Sequence, residues 1–295
     1  MADQKTRQQR RATERERGER LTSKSQQPKQ RNPMLLAIGG IVGLLVVIAA
    51  LIGAKLLQSS PAPAKKTGSA PASVVHDVST VPASTFDTIG AVKGIGGMTK
   101  IGGTPLKEGG KPVVLYIGAE YCPFCAAERW PLVTALSRFG TFTNLGATHS
   151  ATNDVYPNTP TFSFKNAKYA SKYLALQTVE LYGNRPVNGS YPPLQRPTAQ
   201  QNALIQKLDP KGTIPFIYMG NYLQLDASYN PQILAGMSMQ QVAHAMRDTN
   251  TDQSIAILGT ANQITAALCA QTGGQPGNVC STPGVTAAAK HLPKS

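Results

Sequence analysis

The chain has few of the residues that usually build metal sites. Its four histidines (His76, His149, His244 and His291) are scattered, and its seven methionines do not cluster. It has four cysteines, none of which precedes Cys122. A zinc site built on two cysteines usually needs a second pair of Cys or His ligands. No such pair is evident at ligand spacing, and sparse methionine disfavours copper handling.

Acidic residues are also scarce, at 15 against 29 Lys and Arg, which gives a formal net charge of +14. In a short chain such a balance suggests nucleic acid. Here the charge is uneven, because residues 1–33 carry ten basic and four acidic side chains without apolar periodicity. We expect a disordered cytoplasmic segment that orients a following membrane helix. The alternative is that this segment is an arm that binds nucleic acid or anionic lipid. The chain as a whole is 41% hydrophobic, which argues against disorder along its entire length.

Charge is absent from the apolar run between Met34 and Ala54. About 20 apolar residues span a bilayer core, and secretory signal peptides have a shorter apolar region. We therefore predict an uncleaved signal anchor over residues 34–57, with cleavage near Ala62 as the alternative. Basic residues upstream keep the N-terminus cytoplasmic, so the protein is expected in the cell membrane as a single-pass protein with an extracytoplasmic C-terminal domain.

The Pro/Ala/Ser-rich stretch that follows the anchor lacks large side chains that could form a core. We predict a tethering linker over residues 58–78. The folded domain is predicted to span residues 79–282, and residues 283–295 are expected to form a disordered tail.

The clearest motif is a C-x-x-C between a predicted strand and a predicted helix. Residues 111–118 (KPVVLYIG) are short, apolar and β-branched, which favours a buried strand. Residues 126–136 are helical in composition, with one apolar face. Cys122 and Cys125 lie between these two elements.

This position explains the chemistry expected of the motif. Free N–H groups and the helix dipole at a helix N-terminus favour an anion, and the thiolate is the nucleophile in disulfide exchange. Pro123 suits the first helical turn because it has no N–H to leave unpaired. We assign Cys122 as the attacking thiol and Cys125, less exposed, as the resolving thiol. The alternatives are half of a zinc site and a structural Cys122–Cys125 disulfide.

Residues 118–125 (GAEYCPFC) resemble the active-site turn of thioredoxins, and the Cys-Pro-x-Cys form is similar to glutaredoxins and periplasmic disulfide oxidases. Pro131 resembles the kinking helix proline of thioredoxins, shifted by one position. Over residues 80–282 the chain resembles a prokaryotic, membrane-anchored, thioredoxin-like family of unknown function. The resemblance implies an α/β thioredoxin-like fold, here with an insertion before the strand that follows a cis-proline.

The resemblance also implies roles for further residues. Pro215, in Gly-Thr-Ile-Pro before an apolar strand, would be the cis-proline beside the C-x-x-C, and the Ile214 backbone would pair with a bound substrate chain. An ordinary trans proline is the alternative. Pro123 and Phe124 lie inside the motif as supporting residues.

One departure from thioredoxins concerns their buried aspartate on the strand before the motif. Counting six residues back from Cys122 gives Tyr116 instead. Glu120 is closer in sequence and is a weak candidate proton acceptor that we expect to be surface-exposed.

Residues 144–149 are predicted to be the next strand, ending at His149. We treat residues 151–210 as an insertion rich in proline and aromatic residues. It is either a lid or peptide groove near the thiols, or an excursion packed on the sheet.

Two cysteines lie far from the motif. Cys269 is predicted at the end of the final helix, and a Gly/Pro-rich turn brings Cys280 back to it. Outside the cytoplasm these cysteines should form a structural disulfide. A second redox pair is the alternative.

The sequence thus predicts a membrane-anchored thiol–disulfide oxidoreductase acting on extracytoplasmic protein thiols and disulfides. It would work with an unidentified redox partner, without nucleic acid, metal or organic cofactor. A non-catalytic binding or assembly module of the same fold, and copper handling through Cys122 and Cys125, are the competing hypotheses.

Overall fold

The computed structural model describes residues 67–294. The predicted cytoplasmic segment, the predicted signal anchor and the first part of the predicted linker lie outside these residues. Within 67–294, no helix combines the length and the apolar character needed to cross a bilayer.

The described chain is a mixed α/β structure. Its strands are β1 (Gly68–Ser69), β2 (Met98–Lys100), β3 (Lys107–Glu108), β4 (Lys111–Gly118), β5 (Gly140–Thr143), β6 (Gly146–His149), β7 (Pro160–Ser163), β8 (Lys168–Ser171), β9 (Ala175–Glu180), β10 (Phe216–Met219) and β11 (Tyr222–Leu225). Its helices are α1 (Ala72–Ser79), α2 (Ala83–Ile89), α3 (Pro123–Ser137), α4 (Ala199–Leu208), α5 (Met239–Ala245), α6 (Asp252–Gln271), α7 (Gly277–Cys280) and α8 (Pro283–Ala289), with a 3₁₀ turn at Pro231–Leu234.

The main sheet is built around β4, whose bounds agree with the predicted strand. Its order is β2-β11-β10-β4-β3, and β9 also pairs with β4. The β4–β9 pair is parallel, whereas β10 is antiparallel to both β4 and β11. β4 reads as a continuous apolar run because the sheet is covered on both faces.

Alternation along β4 divides the core into two parts. Val114 and Tyr116 face the larger cluster, which contains side chains of α3 and α6. Val113, Leu115 and Ile117 face the smaller cluster, against which α4 packs. The two faces follow from the side-chain period of two in a strand.

Helix α3 differs from the predicted one-sided helix. Every residue from Cys125 to Leu136 in it is buried, including Glu128 and Arg129. The reason is tertiary: α1, α6 and β7 pack around the helix, so no side is left to solvent.

The predicted insertion is wrong in its position. Residues 151–210 contain β9, which is the parallel neighbour of β4 and so part of the central sheet. The predicted strand at 144–149 instead contains β6, in a separate three-stranded sheet of order β1-β6-β7. The sequence pattern around β6 predicts a strand but does not show to which sheet that strand belongs.

Both ends of the predicted domain also need correction. Helix α1 lies inside the predicted linker, with Val74 and Val78 buried. Helix α8 lies inside the predicted disordered tail, with Val285 and Ala288 buried. Small side chains explain the error: the backbone of Gly284 lies so close to Phe86 that an added Cβ would be 2.5 Å from its carbonyl oxygen.

The predicted pairing of Cys269 with Cys280 is confirmed: the two are disulfide-bonded, with a Cα–Cα distance of 5.6 Å. Helix α6 continues past the predicted end at Cys269 to Gln271. The bond fastens the last turn of α6 to the short helix α7.

Candidate active site

The C-x-x-C lies where β4 meets α3, as the sequence predicts. Cys122 is the N-cap of α3 and Pro123 is its first residue. The Cys125 N–H donates a 3.3 Å hydrogen bond to Cys122 Sγ. The sulfur therefore occupies the position in which a capping side chain satisfies a free helix amide.

The two cysteines are free thiols in different environments. Cys122 keeps 5% of its surface exposed, whereas Cys125 keeps none. The Cys125 thiol and backbone amide, together with the charge of Arg129, hold the pKa of Cys122 below its usual value, against the effect of burial. Burial and the hydrogen bond with Cys122 raise the pKa of Cys125 well above its usual value.

Residues far along the chain complete the surroundings of Cys122. Its Sγ lies 4.0 Å from the carbonyl oxygen of Ile214. The Ile214–Pro215 peptide bond is cis, as the resemblance implies, and the Pro215 carbonyl accepts a 3.0 Å hydrogen bond from the Asp226 N–H. The structure thus brings Cys122, Cys125 and the Ile214–Pro215 pair together.

Glu120 corrects an expectation. It was expected at the surface, yet it is 3% exposed. Its carboxylate accepts hydrogen bonds from the hydroxyls of Ser163 (2.6 Å) and Thr67 (2.7 Å). These contacts tie the segment before Cys122 to the three-stranded sheet, so the sequence distance to Cys122 was a poor guide to exposure.

Aromatic side chains form the surface beside the two cysteines. Tyr121 stacks on Tyr191 with ring centroids 4.4 Å apart and lies 6.3 Å from the ring of Tyr182. Phe124 meets Tyr156 edge-on at 5.8 Å. Of these five rings, Tyr182 is the most open, with 41% of its surface exposed.

A buried ion pair that the sequence did not predict lies next to the motif. Arg129 and Glu180 are both fully buried, with Arg129 Nε 3.0 Å from Glu180 Oε1 and Nη2 2.7 Å from Oε2. Burial alone would lower the pKa of Arg129, but the charge of Glu180 raises it above its usual value. The signal in the sequence was that Glu128 and Arg129 are two neighbouring charged residues inside a mostly apolar helix.

Glu128 is a second buried charge that sequence reasoning missed. Its carboxylate accepts hydrogen bonds from the Ser228 N–H at 2.8 Å and the Ser228 hydroxyl at 3.0 Å. Burial raises its pKa to about 7. The contact joins α3 to the loop that follows β11.

Metal ligands are not grouped in the described part of the chain. Across residues 67–294, no three His, Cys, Asp or Glu side chains come together in an arrangement that could hold a metal ion.

Comparison with known families finds a match over part of this region. Residues 97–195 match a family described as "Domain of unknown function (DUF929)". This span is about a third of the chain and contains the C-x-x-C, Arg129 and Glu180, but not Pro215. The searches of curated proteins and of solved structures each found no match.

Proposed function

We propose that residues 67–294 form a thioredoxin-like domain that exchanges thiols and disulfides with protein substrates through Cys122 and Cys125. The observation that carries the proposal is the position of Cys122 Sγ. It caps a helix and lies 4.0 Å from the carbonyl of the residue before a cis-proline.

Sheet topology supports the fold assignment. The strand before the motif has a parallel neighbour, β9, on one side and the antiparallel pair β10–β11 on the other. The cis-proline immediately precedes β10. This arrangement resembles the central sheet of thioredoxins, in which the strand after the cis-proline also pairs with the strand before the motif.

The difference between the two thiols supports their roles in exchange. The Cys122 thiolate attacks one sulfur of a substrate disulfide, so a Cys122–substrate bond forms and the other substrate sulfur leaves as a thiolate. Cys125 then attacks Cys122 Sγ, and its proton passes to a departing substrate thiolate. The substrate gains two electrons and the cysteine pair loses them. After this reaction a partner dithiol reduces the cysteine pair again. If the reaction runs in reverse and oxidises the substrate, a partner disulfide reoxidises the cysteine pair.

Protein substrates are favoured by the aromatic surface beside Cys122. Aromatic side chains are enriched at protein interfaces, where they provide a large contact area. An extracytoplasmic, membrane-anchored location is part of the proposal. It rests on the predicted signal anchor and on the Cys269–Cys280 bond, since disulfides persist mainly in oxidising compartments.

A second candidate is a binding module that keeps the fold without exchange. The 5% exposure of Cys122 favours it, because a nucleophile must be reached by its substrate.

Trapping of mixed disulfides separates the two candidates. We expect the full-length Cys125→Ala protein, in its own membrane, to accumulate adducts that dithiothreitol releases. The matched Cys122→Ser/Cys125→Ala protein should form none. A folded Cys125→Ala protein without adducts would leave the binding module as the function.

A further inference from the structure

Arg129 is held rigidly one helical turn after Cys125. Besides its two contacts with Glu180, its Nη2 donates a 2.9 Å hydrogen bond to the Ala119 carbonyl. Ala119 lies in the short segment between β4 and Cys122, and residues four apart share a helix face. The guanidinium is therefore fixed to both the strand end and the helix that carry the motif.

Two buried polar atoms in this region lack hydrogen-bond partners among the described residues. They are Arg129 Nη1 and the hydroxyl oxygen of Tyr116. Buried polar groups in folded proteins are nearly always hydrogen-bonded, so such atoms need an explanation.

The Tyr116 hydroxyl lies beside the resolving thiol, and the Arg129 guanidinium lies over the Tyr116 ring. A Cβ added at Gly118 would run into the Tyr116 hydroxyl and would be 3.0 Å from Cys125 Sγ, so that hydroxyl and that sulfur flank the same point. The Arg129 guanidinium carbon lies 5.5 Å from the centre of the Tyr116 ring. Arg129, Tyr116 and Cys125 thus form one buried cluster.

Tyr116 stands six residues before Cys122, where the sequence of thioredoxins has a buried aspartate. The cluster offers a different solution, because it supplies positive charge and donors in place of a base. Burial raises the pKa of Tyr116 well above its usual value, so its hydroxyl keeps its proton and can donate.

We propose that Arg129, clamped by Glu180, and Tyr116 form a built-in anion site for the Cys125 sulfur when it becomes a thiolate to resolve a mixed disulfide. The inference rests on the proposed exchange function. Burial keeps the pKa of Cys125 well above its usual value, and the charge of Arg129 opposes that rise, which is the direction expected of an anion site. The same charge also helps to lower the pKa of Cys122.

The site has a consequence for redox direction. Stabilising thiolates stabilises the reduced pair relative to the disulfide, so the reduction potential rises and the pair becomes a stronger oxidant. No new electrons or protons enter, because Arg129 and Tyr116 change only the stability of the charged sulfur.

The test removes the charges as a pair, since removing one alone would leave an uncompensated buried charge. In Arg129→Gln/Glu180→Gln protein we expect the dithiol–disulfide equilibrium to shift at least tenfold towards the disulfide. A tenfold shift lowers the reduction potential of the Cys122–Cys125 pair by about 30 mV. Single-turnover release of a Cys122-linked glutathione should slow at least tenfold. Arg138→Gln is the matched control: Arg138 caps the other end of α3, is largely buried and bonds Asn262 and Thr265. It should leave both readouts unchanged.

Tyr116→Phe keeps the proposal testable if the double variant fails to fold. It should also slow glutathione release about tenfold, the loss expected for a hydrogen bond to a charged group. A folded double variant with wild-type potential and release rate, or a folded Tyr116→Phe with a wild-type release rate, overturns the anion site. Failure of the exchange function differs, because the wild-type protein itself would then form no Cys122-linked adduct.

Discussion

The Tyr229 hydroxyl donates a 2.7 Å hydrogen bond to the carbonyl oxygen of Ala127. In an α-helix this carbonyl would accept from the residue four positions on, which is Pro131 and has no N–H. Tyr229 thus replaces the bond that the proline removes from α3, two residues beyond the resolving thiol.

Replacing Tyr229 by Phe should destabilise the protein by about 1–3 kcal/mol, because it leaves the buried carbonyl unpaired. Urea unfolding measures the change. The exposed Tyr182→Phe is the control and should shift stability by less than about 0.5 kcal/mol. In a Pro131→Ala background, where residue 131 supplies an N–H, Tyr229→Phe should cost less. An equal cost in both backgrounds would contradict the replacement.

Gly118→Ala should destabilise the protein by about 1–3 kcal/mol through overpacking against Tyr116 and Cys125. Tyr116→Phe in the same background should recover part of the loss, since it removes the obstructing hydroxyl. Gly183→Ala is the matched control, because its added methyl would meet nothing closer than 3.5 Å. Thermal unfolding of the four proteins checks both the cost and the recovery.

Glu128 should make stability fall as pH rises. Its folded pKa of about 7 exceeds the ordinary pKa of 4.5 for a glutamate, so the folded state holds the proton that the unfolded chain releases between these values. The penalty grows from about pH 4.5, is complete above pH 7, and is on the order of 3 kcal/mol. Glu128→Gln should remove this slope, so its gain over wild type should be large at pH 8 and small at pH 4.5. Denaturant unfolding at both pH values measures the difference in unfolding free energy between the two proteins. The same difference at pH 4.5 and pH 8 would refute the prediction.

Removal of the Cys269–Cys280 bond distinguishes a structural disulfide from a second redox pair that passes electrons to Cys122 and Cys125. Cys269→Ala/Cys280→Ala should lower stability by about 3 kcal/mol in the chain-entropy model. Exchange by Cys122 and Cys125 should keep its wild-type rate in the folded variant, as expected of a structural bond. Turnover lost without unfolding would instead support a second redox pair.

Local chemistry in the sequence predicted the parts of the site that are close in the chain. An apolar β-branched run, a C-x-x-C and Pro123 predict strand, turn and helix start, and β4 and the Cys122 cap agree with this. The Ser238 capping box of α5, closed by Gln241 three residues later, is another contact that depends only on residues close in the chain.

Only the tertiary structure decided which distant elements surround the thiols. A strand was predicted at residues 144–149, which contain β6, whereas β9, the parallel partner of β4, was placed inside an insertion, because strand pairing depends on long-range packing. The burial of Glu120, Glu128 and Arg129 likewise depends on partners 43 to 100 residues away in the chain. Sequence patterns describe one element at a time, whereas the partner that makes a buried charge tolerable comes from elsewhere in the fold.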